Sequence, residues 1–201
     1  MKRTDTLIIL AKSPVYGQVK TRLAVSIGAA AALEIYRQLL KHTLDVAAKV
    51  PADKVIFYSD EPAPDERTEP GFARATQYGA DLGARMENAF THVFRKGYKK
   101  AVVIGTDCPA IGERTLAAAF DALHQHDVVI GPAYDGGYYL LGMKRVHHML
   151  FDNIPWSTAT VFEETVTICR SNGLRYLLLP TLHDVDEKKD LPHLAKMEQH
   201  G

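Results

Sequence analysis

The chain has 201 residues and a formal net charge of zero, because 24 Lys and Arg residues balance 24 Asp and Glu residues. This balance provides no overall positive field to attract nucleic acid, so any anion site has to be local. Hydrophobic residues make up 46% of the chain and charged residues 24%, which is ordinary for a globular protein. The length predicts one α/β domain, residues 1–201, with a sizeable core.

The cysteines and the N-terminus exclude further classes of protein. Cys108 and Cys169 lack CxxC spacing, so neither a zinc site nor a disulfide framework is expected. The apolar run near the N-terminus is only about six residues long, which is too short for a signal peptide or a membrane span. We therefore expect a soluble, cytoplasmic protein.

Six apolar runs predict β-strands, and several are continuous rather than alternating, as in strands that are buried on both faces. They cover residues 6–11, 54–58, 101–105, 127–131, 138–142 and 174–179. Helical patterns alternate with them over residues 28–49, 81–96, 113–124 and 157–171, and from about Glu187 onward. This alternation predicts a three-layer α/β/α sandwich with a Rossmann-like mixed sheet.

The helix starts and the longest loop are also predicted from local signals. Asp81 is a candidate N-cap for the second helix. The fourth helix has either Ser157 as its N-cap or a capping box of Thr160 and Glu163. Residues 60–72 are rich in proline and acidic residues and are expected to form an exposed loop.

The stretch AKSPVYGQVKTRL, residues 11–23, follows the first strand and precedes a helix. A Walker A loop requires GxxxxGK[ST], and here Gln18 and Val19 separate Gly17 from Lys20, so that interpretation fails. A basic loop at the carboxyl end of a strand can still hold a diphosphate through Lys20 and Arg22. The alternative is an ordinary turn before a solvated helix start.

Two further stretches place an aspartate at a strand end or turn. Asp107 ends the apolar strand in AVVIGTDCPAI, where it either holds a divalent cation or caps the following turn. Its neighbour Cys108 is a poor candidate nucleophile. In GPAYDGGYYLLG, Asp135 begins a hairpin turn with Gly136 and Gly137, and these residues can also contact sugar hydroxyls or the acceptor.

The remaining polar stretches are less specific. Asp184, Asp186 and Asp190 lie before the last helix, either as a solvated cap or with a second ligand for an ion at Asp107. The helix DLGARMENAF carries Arg85 in its first turn, where it can favour an anion. His147 and His148 are interpreted as surface residues.

The order of these stretches resembles the GT-A-like nucleotide-diphospho-sugar transferase superfamily. In particular it is similar to a bacterial GT-A-like family labelled as glycosyltransferases and linked to arsenosugar biosynthesis, related to the molybdenum-cofactor and phospho-lactate guanylyltransferases. The matching motifs, over residues 11–191, are AKSPVYGQVKTRL, DLGARM, IGTDCPAI, GPAYDGGYYLLG, PWST and DVDEKKDL.

The resemblance implies a nucleotide bound over the N-terminal half of a Rossmann-like sheet. It implies that Asp107 and Asp186 hold Mg²⁺ or Mn²⁺, and that Asp107 and Asp135 are catalytic. The nucleotide and its phosphates are assigned to Lys12, Gly17, Lys20, Arg22 and Arg85, and the acceptor or sugar to Asp135, Gly136 and Gly137.

Two reactions remain open at this site, and glycosyl transfer from a nucleotide-diphospho-sugar donor is favoured. The alternative is guanylyl or cytidylyl transfer from a nucleoside triphosphate to a small phosphorylated acceptor, and a non-catalytic nucleotide-binding module is a third possibility. The expected partners are a nucleotide sugar or NTP and a small-molecule acceptor. No nucleic acid is expected, and a homodimer is compatible with the sequence.

Overall fold

In the computed structural model, which describes residues 3–60 and 70–199, seven strands form one mixed sheet. The strands are β1 (Asp5–Ala11), β2 (Asp53–Tyr58), β3 (Phe72–Thr76), β4 (Lys100–Ile104), β5 (Val128–Pro132), β6 (Tyr138–Met143) and β7 (Tyr176–Leu178). Their order is β3-β2-β1-β4-β6-β5-β7. Strand β6 runs antiparallel to both of its neighbours, whereas the other pairs are parallel.

Helices cover both faces of this sheet. They are α1 (Thr21–Ile27), α2 (Ala29–Lys49), α3 (Leu82–Arg95), α4 (Glu113–Ala122) and α5 (Val161–Ser171), with 3₁₀ helices at His148–Leu150 and Lys188–Gln199. Leu7 and Ile9 of β1 pack in one core with α2 and α4, while Ile8 packs in the other with α3 and α5. Because side chains alternate along a strand, β1 contributes to both cores, and the predicted α/β/α sandwich is confirmed.

The six predicted strands are confirmed, but the sequence analysis missed β3. This strand lies at the edge of the sheet, beside β2, and its residues are only partly buried. It therefore has no continuous apolar run to identify it. Phe72 begins β3, so the predicted loop over 60–72 is wrong at that residue, and residues 61–69 of that loop lie outside the described residues.

The predicted N-cap of α3 is confirmed, whereas both predictions for the N-cap of α5 are wrong. Asp81 caps α3 as predicted, since its Oδ1 accepts a hydrogen bond from the Ala84 backbone N–H at 2.8 Å. Helix α5 begins at Val161, so Ser157 is not its N-cap. Thr160 occupies the N-cap position but its side chain makes no capping hydrogen bond, so the capping box with Glu163 is wrong too.

Other local predictions need correction. A short helix, α1, precedes α2, and the two are separated at Gly28, whose φ of 86° is unfavourable for other residues. The final segment is helical as predicted, and the helix is of the 3₁₀ type, with Pro192 inside it, where proline removes a backbone donor. His147 is buried, with 4% exposure, so its interpretation as a surface residue is wrong, whereas His148 is exposed.

Within residues 3–60 and 70–199, no helix combines the length and the apolar character required to cross a bilayer.

Candidate active site

A cavity of about 650 Å³ opens at the carboxyl ends of β1 and β4. This is the edge of an open α/β sheet at which ligands usually bind. Eight charged residues line the cavity: Lys12, Lys20, Arg22, Arg85, Asp107, Asp135, Asp184 and Asp186. Seven of them are site residues predicted from the sequence, and Asp184 is the addition.

Lys20 lies at the centre of the charged residues. Its Nζ contacts Asp107 Oδ1 at 2.5 Å and Asp186 Oδ1 at 3.0 Å, and it donates to the Val185 carbonyl at 2.6 Å. An ammonium has three donors, and these three contacts use them all. The sequence analysis assigned Lys20 to phosphates, but here it holds the two proposed metal-binding carboxylates together.

The backbone and the charge of Lys20 are both unusual. Its φ of 48° places it in the left-handed region, a conformation that costs energy for a residue with a side chain. Its side chain is 4% exposed, and burial by itself would lower the pKa of the ammonium. The negative charges of Asp107 and Asp186 outweigh burial and raise that pKa above its usual value, so Lys20 remains cationic.

Backbone hydrogen bonds bring the C-terminal acidic residues to β4. Val185 N–H donates to the Asp107 carbonyl at 2.9 Å. Leu182 N–H donates to the Pro132 carbonyl, and Tyr134 N–H donates to the Leu182 carbonyl, both at 3.0 Å. This loop is thereby held against the ends of β4 and β5, which places Asp184 and Asp186 beside residues that precede them by more than fifty positions.

Asp184 is a buried carboxyl in the cavity, and its environment disfavours the ionised form. Its Oδ1 is buried and has no hydrogen-bond partner among the residues that the structure describes. Burial, followed by the negative charges of Asp107, Asp135 and Asp186, raises the pKa of the carboxyl to about 8. Perturbed carboxyls in a cleft are typical of functional sites, although the sequence analysis did not choose Asp184 among the three acids of its loop.

The predicted hairpin turn carries Asp135 at the cavity wall. β5 and β6 pair antiparallel on either side of the turn, and Asp135 Oδ1 accepts from the Gly137 N–H at 2.9 Å. Gly137 also lines the cavity, whereas Gly136, which has a φ of 89°, is not among the lining residues. The assignment of these three residues to the acceptor stays a prediction.

The proposed phosphate-binding residues divide into those that reach the cavity and one that does not. The Lys12 backbone is held by Tyr36, whose hydroxyl donates to the Lys12 carbonyl at 2.7 Å and accepts from its N–H at 2.8 Å. Arg22 is 68% exposed and Arg85 lies in the first turns of α3. Gly17 does not line the cavity, and its φ of 75° explains the residue type as a turn requirement.

The structure also bears on two other kinds of chemistry, a cysteine nucleophile and a metal site built from protein ligands alone. Cys108 lines the cavity but is 4% exposed, and burial raises the pKa of its thiol to about 12, so it stays protonated at neutral pH. Within residues 3–60 and 70–199, no group of three or more His, Cys, Asp or Glu side chains is arranged to hold a metal ion.

The cavity also contains residues that the sequence analysis did not single out. Gln77 Nε2 donates to the Ala11 and Phe57 carbonyls at 2.9 and 2.8 Å, which holds the end of β3 against the end of β1. Trp156, which belongs to the PWST segment, also lines the cavity. That segment was recognised only as a motif, because no local pattern indicates which wall a lone tryptophan will occupy.

Comparison with solved structures identifies the class of protein. A crystal structure from Desulfovibrio desulfuricans G20, provisionally assigned as a nucleotide-diphospho-sugar transferase, is 30% identical in sequence with a TM-score of 0.88. The match covers 98% of this chain and 95% of that chain. The shared fold and the sequence identity therefore define a transferase of the nucleotide-diphospho-sugar transferase type, which confirms the predicted class of protein.

A family model described as "Uncharacterized protein conserved in bacteria (DUF2064)" matches residues 43–158, more than half of the chain. The chain belongs to this family. A search of curated proteins by sequence gave no match.

More distant solved structures share the fold. One is CMP:2-keto-3-deoxy-manno-octonic acid synthetase complexed with CTP, at 12% identity and a TM-score of 0.62, over 98% of this chain and 99% of that one. Another is Rv0371c of Mycobacterium tuberculosis H37Rv in complex with manganese, at 16% identity and a TM-score of 0.59, over 95% of this chain and 97% of that one.

Proposed function

We propose that the protein is a metal-dependent glycosyltransferase that moves a sugar from a nucleotide-diphospho-sugar donor to a small-molecule acceptor. The observation that carries the proposal is the convergence of Asp107 and Asp186 on one cationic group, Lys20, in the floor of the cavity. Carboxylates and cations alternating at the carboxyl end of the central strands can bind a diphosphate together with its counterion.

The two carboxylates fit a hard divalent cation, Mg²⁺ or Mn²⁺. Asp107 and Asp186 already surround a positive charge, and their side chains are 42% and 40% exposed, so their oxygens are accessible from the cavity. Mg²⁺ is commonly held by one or two carboxylates together with substrate phosphates, and does not require a cage of three protein ligands. When bound, such an ion would neutralise charge on the departing diphosphate.

The other charged residues have proposed roles in binding and proton transfer. Lys12, Arg22 and Arg85 bind the donor phosphates, and Lys20 holds the two carboxylates in position. The acceptor hydroxyl oxygen bonds to the anomeric carbon of the donor sugar, and the bond from that carbon to the diphosphate oxygen breaks. The diphosphate leaves with the electron pair, and Asp135 accepts the hydroxyl proton.

Nucleotidyl transfer is the second candidate, and the observation in its favour is the shared fold with the CTP-bound synthetase. In that reaction a phosphorylated acceptor attacks the α-phosphorus of an NTP, and pyrophosphate leaves. Both reactions would use Asp107 and Asp186, so the product released distinguishes them: a nucleoside diphosphate in the first case and pyrophosphate in the second.

The test is thermal unfolding of the whole protein with Mg²⁺ or Mn²⁺ and a panel of UDP-sugars, GDP-sugars, GTP, CTP and UTP. A ligand that binds only the folded state raises its stability in proportion to RT ln(1 + [L]/Kd). The variant is Asp107→Asn. The matched control is Asp127→Asn, which changes a paired aspartate before β5 at the opposite edge of the sheet.

Metal-dependent stabilisation by a nucleotide sugar, lost in Asp107→Asn and kept in Asp127→Asn, would support glycosyl transfer. Stabilisation by an NTP alone would favour nucleotidyl transfer. No metal-dependent shift with any compound would contradict both enzymatic proposals and favour a non-catalytic module. A single domain over residues 1–201, a cytoplasmic location and a homodimer stay predictions.

A further inference from the structure

One wall of the cavity is not used by the carboxylates or the cations of the proposed donor site. It belongs to residues 155–160, which we call the Trp156 segment, and Trp156, Ser157, Thr158 and Ala159 of this segment line the cavity. This segment connects the loop after the first 3₁₀ helix to α5, and several features show that it is tightly built.

The indole of Trp156 lies directly against the backbone of α3. A Cβ added at Gly83 would lie 2.2 Å from the Trp156 ring atoms Cε2 and Nε1, a separation that no real side chain could accept. The ring of Tyr138 stands edge-on to the indole, with centroids 6.5 Å apart and an interplanar angle of 88°. Glycine at position 83 therefore makes room for the indole at the cavity wall.

The other end of the Trp156 segment is packed against the hairpin turn that carries Asp135. A Cβ added at Gly136 would lie 2.0 Å from the Ala159 carbonyl oxygen. The Phe162 N–H also donates to the Gly136 carbonyl at 2.9 Å. These contacts place Trp156 and Asp135 on one continuous wall, although twenty residues separate them in sequence.

The backbone of the Trp156 segment is strained where it faces the cavity. Ser157 has a φ of 65°, in the left-handed region that residues with a side chain seldom adopt. The Thr158 hydroxyl donates to the Pro155 carbonyl at 2.7 Å, which closes the turn around Ser157. Strain of this kind is maintained at ligand sites by the surrounding contacts.

The charge on this side of the cavity is acidic. Asp135 forms no ion pair within residues 3–60 and 70–199, and its carboxylate accepts only a backbone hydrogen bond there. The ammonium of Lys20 is committed to Asp107 and Asp186. A phosphorylated acceptor placed between Trp156 and Asp135 would therefore meet like charge, whereas a neutral hydroxyl-bearing molecule would not.

We propose that Trp156 and Asp135 form the acceptor subsite, and that it takes an uncharged hydroxyl-rich ring, such as a pyranose, in preference to a phosphorylated one. This inference rests on the proposed glycosyl transfer and names its acceptor class. The indole offers a polarised aromatic surface to the C–H groups of the ring, and the carboxylate accepts hydrogen bonds from the hydroxyls.

The first test uses the wild-type protein, since Trp156 is its single tryptophan and its fluorescence reports on this wall alone. The protein is titrated with neutral methyl hexopyranosides and with the corresponding hexose 6-phosphates, with and without UDP and Mg²⁺. We expect a saturable change in indole emission with at least one methyl hexopyranoside. The hexose 6-phosphate should bind at least about tenfold more weakly, because of charge repulsion.

Variants separate an acceptor role from a structural one, with binding followed by calorimetry. Trp156→Ala should weaken hexopyranoside binding about tenfold and leave nucleotide affinity unchanged, while Trp156→Phe should retain most of the affinity. Asp135→Asn should reduce the difference in binding affinity between neutral and phosphorylated sugars. A purely structural role of Asp135 would not produce this effect. Tyr134→Ala is the control, since its ring stacks on His183 at 4.0 Å rather than lining the cavity.

Equal or tighter binding of the hexose 6-phosphates would overturn the inference, as would the lack of any indole response to the whole neutral panel. Loss of nucleotide affinity in Trp156→Ala would also overturn it, because the wall would then belong to the donor. Failure of the proposed function is separately visible, as the absence of any metal-dependent nucleotide stabilisation in the wild-type protein.

Discussion

Acidic residues have different partners at the two edges of the sheet, the amino edge, where the parallel strands begin, and the carboxyl edge, where they end. At the amino edge Asp127 contacts Lys144 at 3.4 Å and the Arg175 side chain at 3.5 Å, and it accepts from the Arg175 N–H at 3.0 Å. Lys100 lies 3.7 Å from Asp5. Each of these acids has a cationic partner, as expected where charges support the fold.

At the carboxyl edge one ammonium contacts two carboxylates, and a third carboxyl has a buried oxygen that accepts no hydrogen bond from the described part of the chain. The ammonium is that of Lys20, which contacts Asp107 and Asp186, and the buried oxygen is Oδ1 of Asp184. Burial raises the pKa of Asp184 to about 8. At Asp127, where burial would also raise it, the hydrogen bonds from Arg175 and the charge of Lys144 hold the pKa below its usual value.

The contrast shows which edge is built for stability and which for chemistry. A buried carboxyl without a partner costs free energy of folding, and such a cost persists where function requires it. The predictions below test this contrast by changing matched residues at the two edges.

The largest effect is expected from Lys20→Met, which removes the ammonium that contacts both Asp107 and Asp186 and keeps a side chain of similar length. Transferase activity should fall on the order of 10²-fold or more. The free energy of unfolding should fall by about 2 kcal/mol, because the carboxylates then repel one another. Steady-state kinetics and urea unfolding measure the two effects.

The matched change at the amino edge is Lys100→Met. Lys100 pairs with Asp5 and also contacts His124, so its loss should cost about 1 kcal/mol and leave activity unchanged. Equal losses of activity in the two variants would show that the carboxyl edge has no special role.

A smaller change in the free energy of unfolding, of opposite sign at the two edges, is expected when an aspartate is replaced by asparagine. Asp184→Asn removes a buried, uncompensated carboxyl and should raise the free energy of unfolding by about 1 kcal/mol, with loss of activity. Asp127→Asn removes two ion pairs and should lower it by about 1 kcal/mol, with activity retained. Destabilisation of both proteins in urea to the same degree would refute the contrast.

Acidification should weaken the amino edge in two stages. His147 is buried and burial lowers its pKa, so the folded state binds fewer protons than the unfolded one below the ordinary value of 6.5. Stability is therefore full above that pH and is lost as the pH falls through it. Asp127, with its lowered pKa, adds a second loss below its ordinary value of 3.8. Unfolding midpoints measured against pH, in wild type and His147→Gln, check the first stage.

In that comparison His147→Gln should reduce the loss of stability that begins near pH 6.5. The loss of stability below pH 3.8, which is due to Asp127, should remain. An unchanged pH profile would mean that other groups, such as His92, whose pKa is also lowered by burial, account for the first stage.

The smallest change in stability is expected for Arg22→Gln at the carboxyl edge. Arg22 is 68% exposed and lies 3.9 Å from Asp186, so the free energy of unfolding should change by less than about 0.5 kcal/mol. Affinity for a nucleotide–metal complex should still fall several-fold, since an exposed guanidinium in the cavity is free to bind phosphate. Calorimetry with UDP and Mg²⁺ measures this, and unchanged affinity would remove Arg22 from the proposed donor site.

Much of the fold was determined by the sequence itself, because its signals are local. Apolar runs identified six strands, Asp81 marked the start of α3, and Asp135-Gly136-Gly137 marked a hairpin turn. Asp107 was identified as a strand-end acid for the same reason. The edge strand β3 lacked such a signal, since half-buried residues need no continuous apolar pattern.

Only the tertiary structure decided how the distant parts of the site meet. The strand order β3-β2-β1-β4-β6-β5-β7 and the Val185–Asp107 hydrogen bond bring the last loop to β4, so that Lys20 lies between Asp107 and Asp186. The contact of Gly83 with Trp156 likewise depends on how α3 packs. Periodicity and turn chemistry act over a few residues, whereas these contacts join residues whose separation along the chain leaves no mark in the sequence.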